Sequence, residues 1–416
     1  MEYKLKEIIT FSKGFAFKSK DYTEVGIDLV KVSDFTGDSI DIQKTKKLPK
    51  EFINKYTKYK LWTSDILIST VGSWPSNPNS VVGKIVRVPK LNQPALLNQN
   101  IAKINLDFLE ISYDYLYYLL RTEKFKNYII CTAQGSANQA SITLKDIGNF
   151  KHDFPNIYIQ KKISKILMNL DSKIEINKKI IANLEELSQA LFKHWFVDFE
   201  FPDENGNPYK SSDGEMVESE LGEIPKEWKI GTISDISNNY NSIRKPLSKI
   251  QRENLESIYP YYGATKIIDY VDNYIFDGQY ILVGEDGTVR TPNGKPYTQF
   301  VEGKFWVSNH AHILKGNSIS DEILLLILNN VDIDPYITGA VQPKISKKNL
   351  SSIKITIAIN DLYNQFNEII QPYFKEIKNK EKEIKHLQQL RDTLLPKLMS
   401  GEIEIPNDVE VDEDEL

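Results

Sequence analysis

Ile163-Ser164-Lys165-Ile166-Leu167-Met168-Asn169-Leu170-Asp171-Ser172-Lys173-Ile174 and, far downstream, Phe366-Asn367-Glu368-Ile369-Ile370-Gln371-Pro372-Tyr373-Phe374-Lys375-Glu376-Ile377 are two versions of one phrase. Ile163, Leu167, Leu170, Ile174, Ile181, Leu184 and Leu191 match Phe366, Ile370, Tyr373, Ile377, Ile384, Leu387 and Leu394 at a constant offset of 203 residues. The offset extends upstream to Gln139 with Gln342 and Ile142 with Ile345. Before that, insertions break the register. Tyr3-Lys4-Leu5 still resembles Trp228-Lys229-Ile230, and Asp65-Ile66-Leu67-Ile68 echoes Tyr280-Ile281-Leu282-Val283. A repeat of this length means two copies of one structural plan.

Within each phrase the apolar residues step by four and three, the spacing of a coiled-coil seam. One seam cannot bury itself, so the two helices are expected to pair, antiparallel because a globular module lies between them. Two ordinary amphipathic helices, each on its own domain, are the plainer alternative. Asn177 and Lys380 are polar at matching seam positions, a device that fixes register at some cost in stability. Pro372 removes a backbone donor, which predicts a kink or a late helix start near Gln371-Pro372.

Ahead of each helix lies a mixed module. Ile66-Leu67-Ile68, Val81 to Val88, Ile281-Leu282-Val283 and Phe305-Trp306-Val307 read as short strands, separated by turns such as Glu285-Asp286-Gly287 and Pro292-Asn293-Gly294. Helices are expected at Tyr113 to Arg121 and Asp321 to Leu328. The fold class is therefore α+β. Its expected divisions are a first module over 1–152, a first helix region over 153–199 and an acidic linker over 200–226. A second module over 227–358, a second helix region over 359–403 and an acidic, disordered tail over 404–416 complete it.

The 416 residues exceed one comfortable core, and 41% hydrophobic with 26% charged residues is ordinary for a folded chain. One cysteine, Cys131, excludes internal disulfides and Cys-rich zinc sites. The opening Met1 to Lys6 lacks the apolar run of a signal peptide, and no stretch approaches the ~20 apolar residues of a membrane span, so a cytoplasmic location is expected. The net charge of −5 is unevenly spread. Asp198 to Glu227 and Glu402 to Leu416 each carry about −8, leaving about +11 elsewhere. Charge acts within a Debye length of ~8–10 Å, so acidic segments do not forbid a basic nucleic-acid face.

Three phrases carry a family signature: Leu191-Phe192-Lys193-His194-Trp195-Phe196-Val197-Asp198-Phe199, Leu221-Gly222-Glu223-Ile224-Pro225-Lys226-Glu227-Trp228, and Leu390-Arg391-Asp392-Thr393-Leu394-Leu395-Pro396-Lys397-Leu398-Met399-Ser400-Gly401-Glu402-Ile403. With the two-copy plan, they resemble the specificity subunit of a type I restriction-modification system over essentially the whole chain. The resemblance implies two target recognition domains, each reading one half of a split double-stranded DNA site. It implies paired helices that space the domains and dock methyltransferase subunits, two per chain, with restriction subunits recruited through the complex. A helix of about 30 residues spans ~45 Å, about 13 base pairs at ~3.4 Å each. A non-catalytic scaffold whose two heads bind protein is the competing reading, and a salt-dependent DNA shift assay separates the two.

Catalytic loops are missing. Ser76-Asn77-Pro78-Asn79 lacks the second proline and the aromatic of an adenine-methyltransferase loop. Gly294-Lys295-Pro296 lacks the P-loop's earlier glycine and its Ser/Thr. Pro202-Asp203 and Glu227-Trp228-Lys229 are fragments of a nuclease pattern at the linker edges. His310-Ala311-His312 puts both imidazoles on one face of a strand without further ligands, which favours packing or DNA contact over metal. No enzyme, cofactor or metal is expected.

Base reading needs Asn, Gln, Arg, Lys and Ser on exposed loops, whose donors and acceptors match base edges. In the first module the candidates are Asn98, Gln99 and Asn100, with Gln134, Ser136, Asn138, Gln139 and Ser141 around Gly135. In the second they are Arg290, Asn309 and His310, with Gln342 and Lys344 after Gly339. Phosphate positioning is assigned to Lys13, Lys18 and Lys20, and to Arg244, Lys245, Lys347 and Lys348. Turn-capping amides and solvated lysines are the bland alternative for each. The Gln139 and Gln342 loops, shared by both copies, lead for DNA contact, although sharing also fits a structural turn before each helix.

Overall fold

The computed structural model describes residues 1–74, 81–136, 139–339, 342–406 and 409. Four helices organise it: α1 (Tyr113–Leu119), α2 (Ile157–Phe196), α3 (Asp321–Leu328) and α4 (Asn360–Ser400). The chain divides into two compact units. The first comprises Met1–Ile176 and Ile384–Leu416, the second Asn177–Glu383.

In the first unit, strands Ile9–Lys13, Ile101–Leu106, Ile66–Ser69 and Ile85–Arg87 form an antiparallel sheet in that order. Successive strand residues face opposite sides. Ile66, Ile68, Ala102 and Ile104 therefore join one core, and Leu67, Val86 and Ile101 another. This accounts for the unbroken Ile-Leu-Ile run: both faces are buried. A second sheet, ordered Lys46–Leu48, Ile27–Val30, Ala95–Leu97 and Lys60–Leu61, contains one parallel pair. Glu2–Lys4 pairs with Lys151–Asp153, closing the module beside α2.

The second unit repeats this. Ser237–Asn239, Ala311–Gly316, Tyr280–Gly284 and Thr298–Val301 form the antiparallel sheet. Ile281 and Val283 face one core and Leu282 the other. Its second sheet also has one parallel pair, Tyr259–Tyr262 with Lys304–Val307. Lys229–Thr232 pairs with Lys354–Ile357 to close it, so the echo of Tyr3-Lys4-Leu5 in Trp228-Lys229-Ile230 marks the same closing strand.

Each unit contains the beginning of one long helix and the end of the other. In the first, Ile163 and Leu167 of α2 share a core with Leu395 and Leu398 of α4 and with Tyr115 and Leu116 of α1. In the second, Phe192, Trp195 and Phe196 of α2 pack with Tyr363, Phe366 and Ile370 of α4 and with Ile323 and Leu324 of α3. The helices are therefore antiparallel. Of the expected seam, Ile163, Leu167, Ile174, Phe366, Ile370 and Ile377 are buried. Leu170, Ile181, Leu184, Leu191, Tyr373, Ile384, Leu387 and Leu394 are half-buried. Phe374 and Leu395 are buried beside Tyr373 and Leu394, because each helix also faces its module and the buried stripe is wider than a two-stranded seam.

Three expectations need correction. α4 has no late start: it begins twelve residues before Pro372 and runs through it. Pro372 is solvent-exposed between buried Ile370 and Phe374, whose packing offsets the ~3 kcal/mol that a lost helical donor and ring clash cost. The 200–226 segment is not a bare linker. Met216–Ser219 and Gly222–Pro225 form a hairpin, and Phe201 stacks on Tyr209 and Trp228 with ring centroids 4.6 and 5.5 Å away. At the C-terminal end, Ile403 and Ile405 pack on the first core, so burial continues into the expected tail. Residues 407, 408 and 410–416 of that tail lie outside the described residues. Asn177 is fully buried with its amide unpartnered, whereas Lys380 pairs with Glu376 and Glu383 of its own helix. Among the described residues no helix is long and apolar enough to cross a membrane.

Candidate nucleic-acid interface

In the first unit, Gln134–Ser136 and Gln139–Ser141 form a small antiparallel ribbon whose second strand adds Val71–Gly72. Alternation buries Ala140 and leaves Gln139 and Ser141 exposed on either side of it. Gly135 lies at φ 152°, and a Cβ there would meet the Gln139 carbonyl at 2.0 Å, so glycine is required where the strands approach. The Trp74 indole N–H donates to the Ser136 carbonyl at 2.7 Å and steadies the ribbon. Beyond it, the Ile142 N–H donates to Thr70 O, and the Thr70 N–H donates to Asn100 O. This relay brings the Asn98–Asn100 turn beside the glutamine ribbon, though the two lie far apart in sequence. Lys13, opposite Ala102 in the sheet, completes the edge.

The second unit has the same wiring. The Ile345 N–H donates to Glu285 O, and the Glu285 N–H donates to His310 O. Gly287 N–H donates to Pro343 O, and Thr338 pairs with Lys344 across the turn that carries Gln342. Asn309 and His310 thus occupy the place of Gln99 and Asn100, and exposed Gln342 that of Gln139.

The side chains differ between copies. The Glu285 carboxylate is met by Arg244 at 2.7 Å, Lys344 at 3.4 Å and His312 at 3.6 Å. Burial raises its pKa, but the Arg244 hydrogen bond and the charges of Arg244 and Lys344 outweigh that and hold it below the usual carboxylate range. Arg244 also donates to the carbonyls of Asn309 and Ala311. Its guanidinium is committed to holding this turn, not displayed for a phosphate. The two imidazoles do not share a face. His312 is fully buried, donating from Nε2 to Ile345 O and accepting from Asn241 at Nδ1, and burial lowers its pKa. His310 is exposed and bonds Asp286 at 2.6 Å.

Lys18 and Lys20 are exposed around the Ser19–Asp21 turn, and Lys347 and Lys348 open a short helix. Lys245 is exposed, and its carbonyl accepts from Trp306. Arg290 pairs with Asp334 at 2.5 Å. These residues join neither relay. Asn138 and the Ser76–Asn79 stretch lie outside the described residues. Thr70 and Glu285, the centres of the relays, were missed by sequence reasoning. They follow the echoed strand phrases by the same number of residues, so extending that echo would have found them. Among the described residues no group of three or more His, Cys, Asp or Glu is placed to hold a metal ion.

Residues 1–186 and 225–389 match the family described as the type I restriction modification DNA specificity domain. The type I restriction enzyme MjaIX specificity subunit of Methanocaldococcus jannaschii is 26% identical over 313 residues, 70% of this chain and 69% of that one. The type I restriction enzyme HindI specificity subunit of Haemophilus influenzae is 36% identical over 88 residues, 21% of this chain and 19% of that one. The crystal structure of a type I restriction-modification S subunit from M. genitalium superposes with a TM-score of 0.52 at 18% identity. It covers 96% of this chain and 95% of its own.

Proposed function

From the premise that this chain belongs to the type I restriction modification DNA specificity family and is a specificity subunit of such a system, we propose that each unit reads one half of a gapped double-stranded DNA site. The observation that carries this reading is the repeated relay, Ile142–Thr70–Asn100 and Ile345–Glu285–His310. One backbone frame holds a shared glutamine, Gln139 and Gln342, beside a side chain that differs between the copies, Asn100 against His310. That is what two readers of different sequences require. Lys13, Lys18, Lys20, Lys245, Lys347 and Lys348 supply phosphate contacts that position without specifying.

The helices dock methyltransferase subunits, two per chain, and restriction subunits join through the assembled complex. Leu187 and Leu390 occupy equivalent positions of the two copies, and each is 47% exposed. Two equal apolar footholds suit two copies of one partner. The chain supplies no catalysis of its own and works in the cytoplasm with its partners.

Replacing Gln139 with Ala in the assembled complex is expected to relax one half of the methylated site, and replacing Gln342 the other. A lost base contact costs ~1–3 kcal/mol at its own position. Methylation-site sequencing reads the result. Either substitution altering both halves together would refute independent reading.

A further inference from the structure

The two units seat their modules on the helices with different chemistry. In the first, Arg391 of α4 is 7% exposed, and its guanidinium reaches Asp171 of α2 at 2.7 Å and Asp38 of the module at 2.9 Å. Tyr118 of α1 donates to Asp171 at 2.8 Å, and Arg121 stands 3.5 Å from Asp38 and 3.6 Å from Asp171. One buried arginine thus ties both long helices to the recognition module.

In the second unit, the offset that relates the helices puts Ser188 in the place of Arg391 and Phe374 in that of Asp171. Aligning the N-cap serines of α1 and α3, Ser112 and Ser320, puts Leu326 in the place of Tyr118 and Asn329 in that of Arg121. Four ionic or polar partners are replaced together by a neutral set. Ser188 bonds its own helix at Leu184 O, and Phe374 and Leu326 lie in the apolar core. In the second unit α4 instead meets its module through Lys378, 3.2 Å from Glu302, so the Arg391 cluster is particular to the first unit and not a requirement of the shared fold.

We infer that Arg391 is a positioning residue for the first recognition module, setting its orientation on the helices through Asp38 and Asp171. Resting on the proposed reading of half-sites, this predicts that Arg391 governs where the first half-site is met, not which bases it contains. A buried guanidinium nitrogen shared between two carboxylates is directional in a way that apolar packing is not.

The test uses the full chain assembled with its partner subunits, as wild type, Arg391→Met, Arg391→Lys and, as the counterpart control, Ser188→Ala. Arg391→Met is expected to lower methylation at the wild-type gap by roughly ten- to a hundredfold, the scale of a misplacement of about 1 Å. It is also expected to admit gaps one base pair longer or shorter, with both half-site sequences unchanged. Arg391→Lys should restore part of the gap preference, and Ser188→Ala should leave it intact. Backbone hydrogen exchange should rise over α1 in Arg391→Met and stay unchanged over α3. Full methylation at an unaltered gap, Arg391→Lys as impaired as Arg391→Met, or equal exchange changes in α1 and α3 would overturn the inference. A wild-type chain without a two-part site would instead refute the half-site reading, and the exchange experiment still decides the joint.

Discussion

Phe366→Ala is the sharpest test of the helix packing in the second unit. Phe366 is fully buried, with ring centroids 4.9 Å from Phe196, 5.3 Å from Trp195 and 6.0 Å from Phe192. Moving a phenyl group out of water stabilises by ~1.5–3 kcal/mol, and its removal leaves a cavity that bulky aromatic walls cannot collapse to fill. The edge-on ring pairs contribute further, about 0.5–1.5 kcal/mol each. The expected loss is about 4 kcal/mol, within the ~3–5 kcal/mol range for a core Phe→Ala change. For a unit of about 200 residues, each kcal/mol moves the midpoint by about 2–4 °C, so the transition should fall by about 8–16 °C. Circular dichroism through thermal and urea unfolding is the assay. A loss below about 1 kcal/mol would mean that these rings do not carry the α2–α4 contact and that the antiparallel packing is wrong there.

Two further outcomes follow from exposure and burial. Leu187→Glu and Leu390→Glu should each leave stability within about 0.5 kcal/mol, as surface changes do, yet each should remove one methyltransferase subunit from the complex by native mass spectrometry. Retention of both subunits in the double variant would refute the docking face. His152, buried against Phe154 and bonded to the Tyr115 hydroxyl, has its pKa pushed down by burial, with Lys124 adding to it, to about 4. The unfolded chain binds that proton near pH 6.5 and the folded chain does not. Stability should therefore be whole above about pH 6.5 and decline by about 3 kcal/mol as pH falls to about 4. His152→Gln should remove that component of the pH dependence, and an unchanged slope in calorimetric titrations would contradict it.

Much of this architecture was legible from the chain alone. A constant offset between two apolar patterns identified two copies, and the four-three spacing identified the helices, because helix burial imposes a periodic requirement that sequence must satisfy. The antiparallel pairing followed from the globular module that lies between the two helices. Individual contacts were not legible. Nothing local distinguishes Arg244, held by Glu285 and three carbonyls, from a lysine left in solvent, and the difference decides whether a cation is available to DNA. Nor did spacing separate His310, which is exposed, from His312, which is buried two residues later. Pro372 looked like a helix breaker because its local cost is fixed, while the compensating burial of Ile370 and Phe374 depends on partners distant in the chain. Periodicity records which face of an element is buried. Only the tertiary structure decides what meets that face, because partners separated by some 200 residues are chosen by packing and charge neutralisation, not by any local rule.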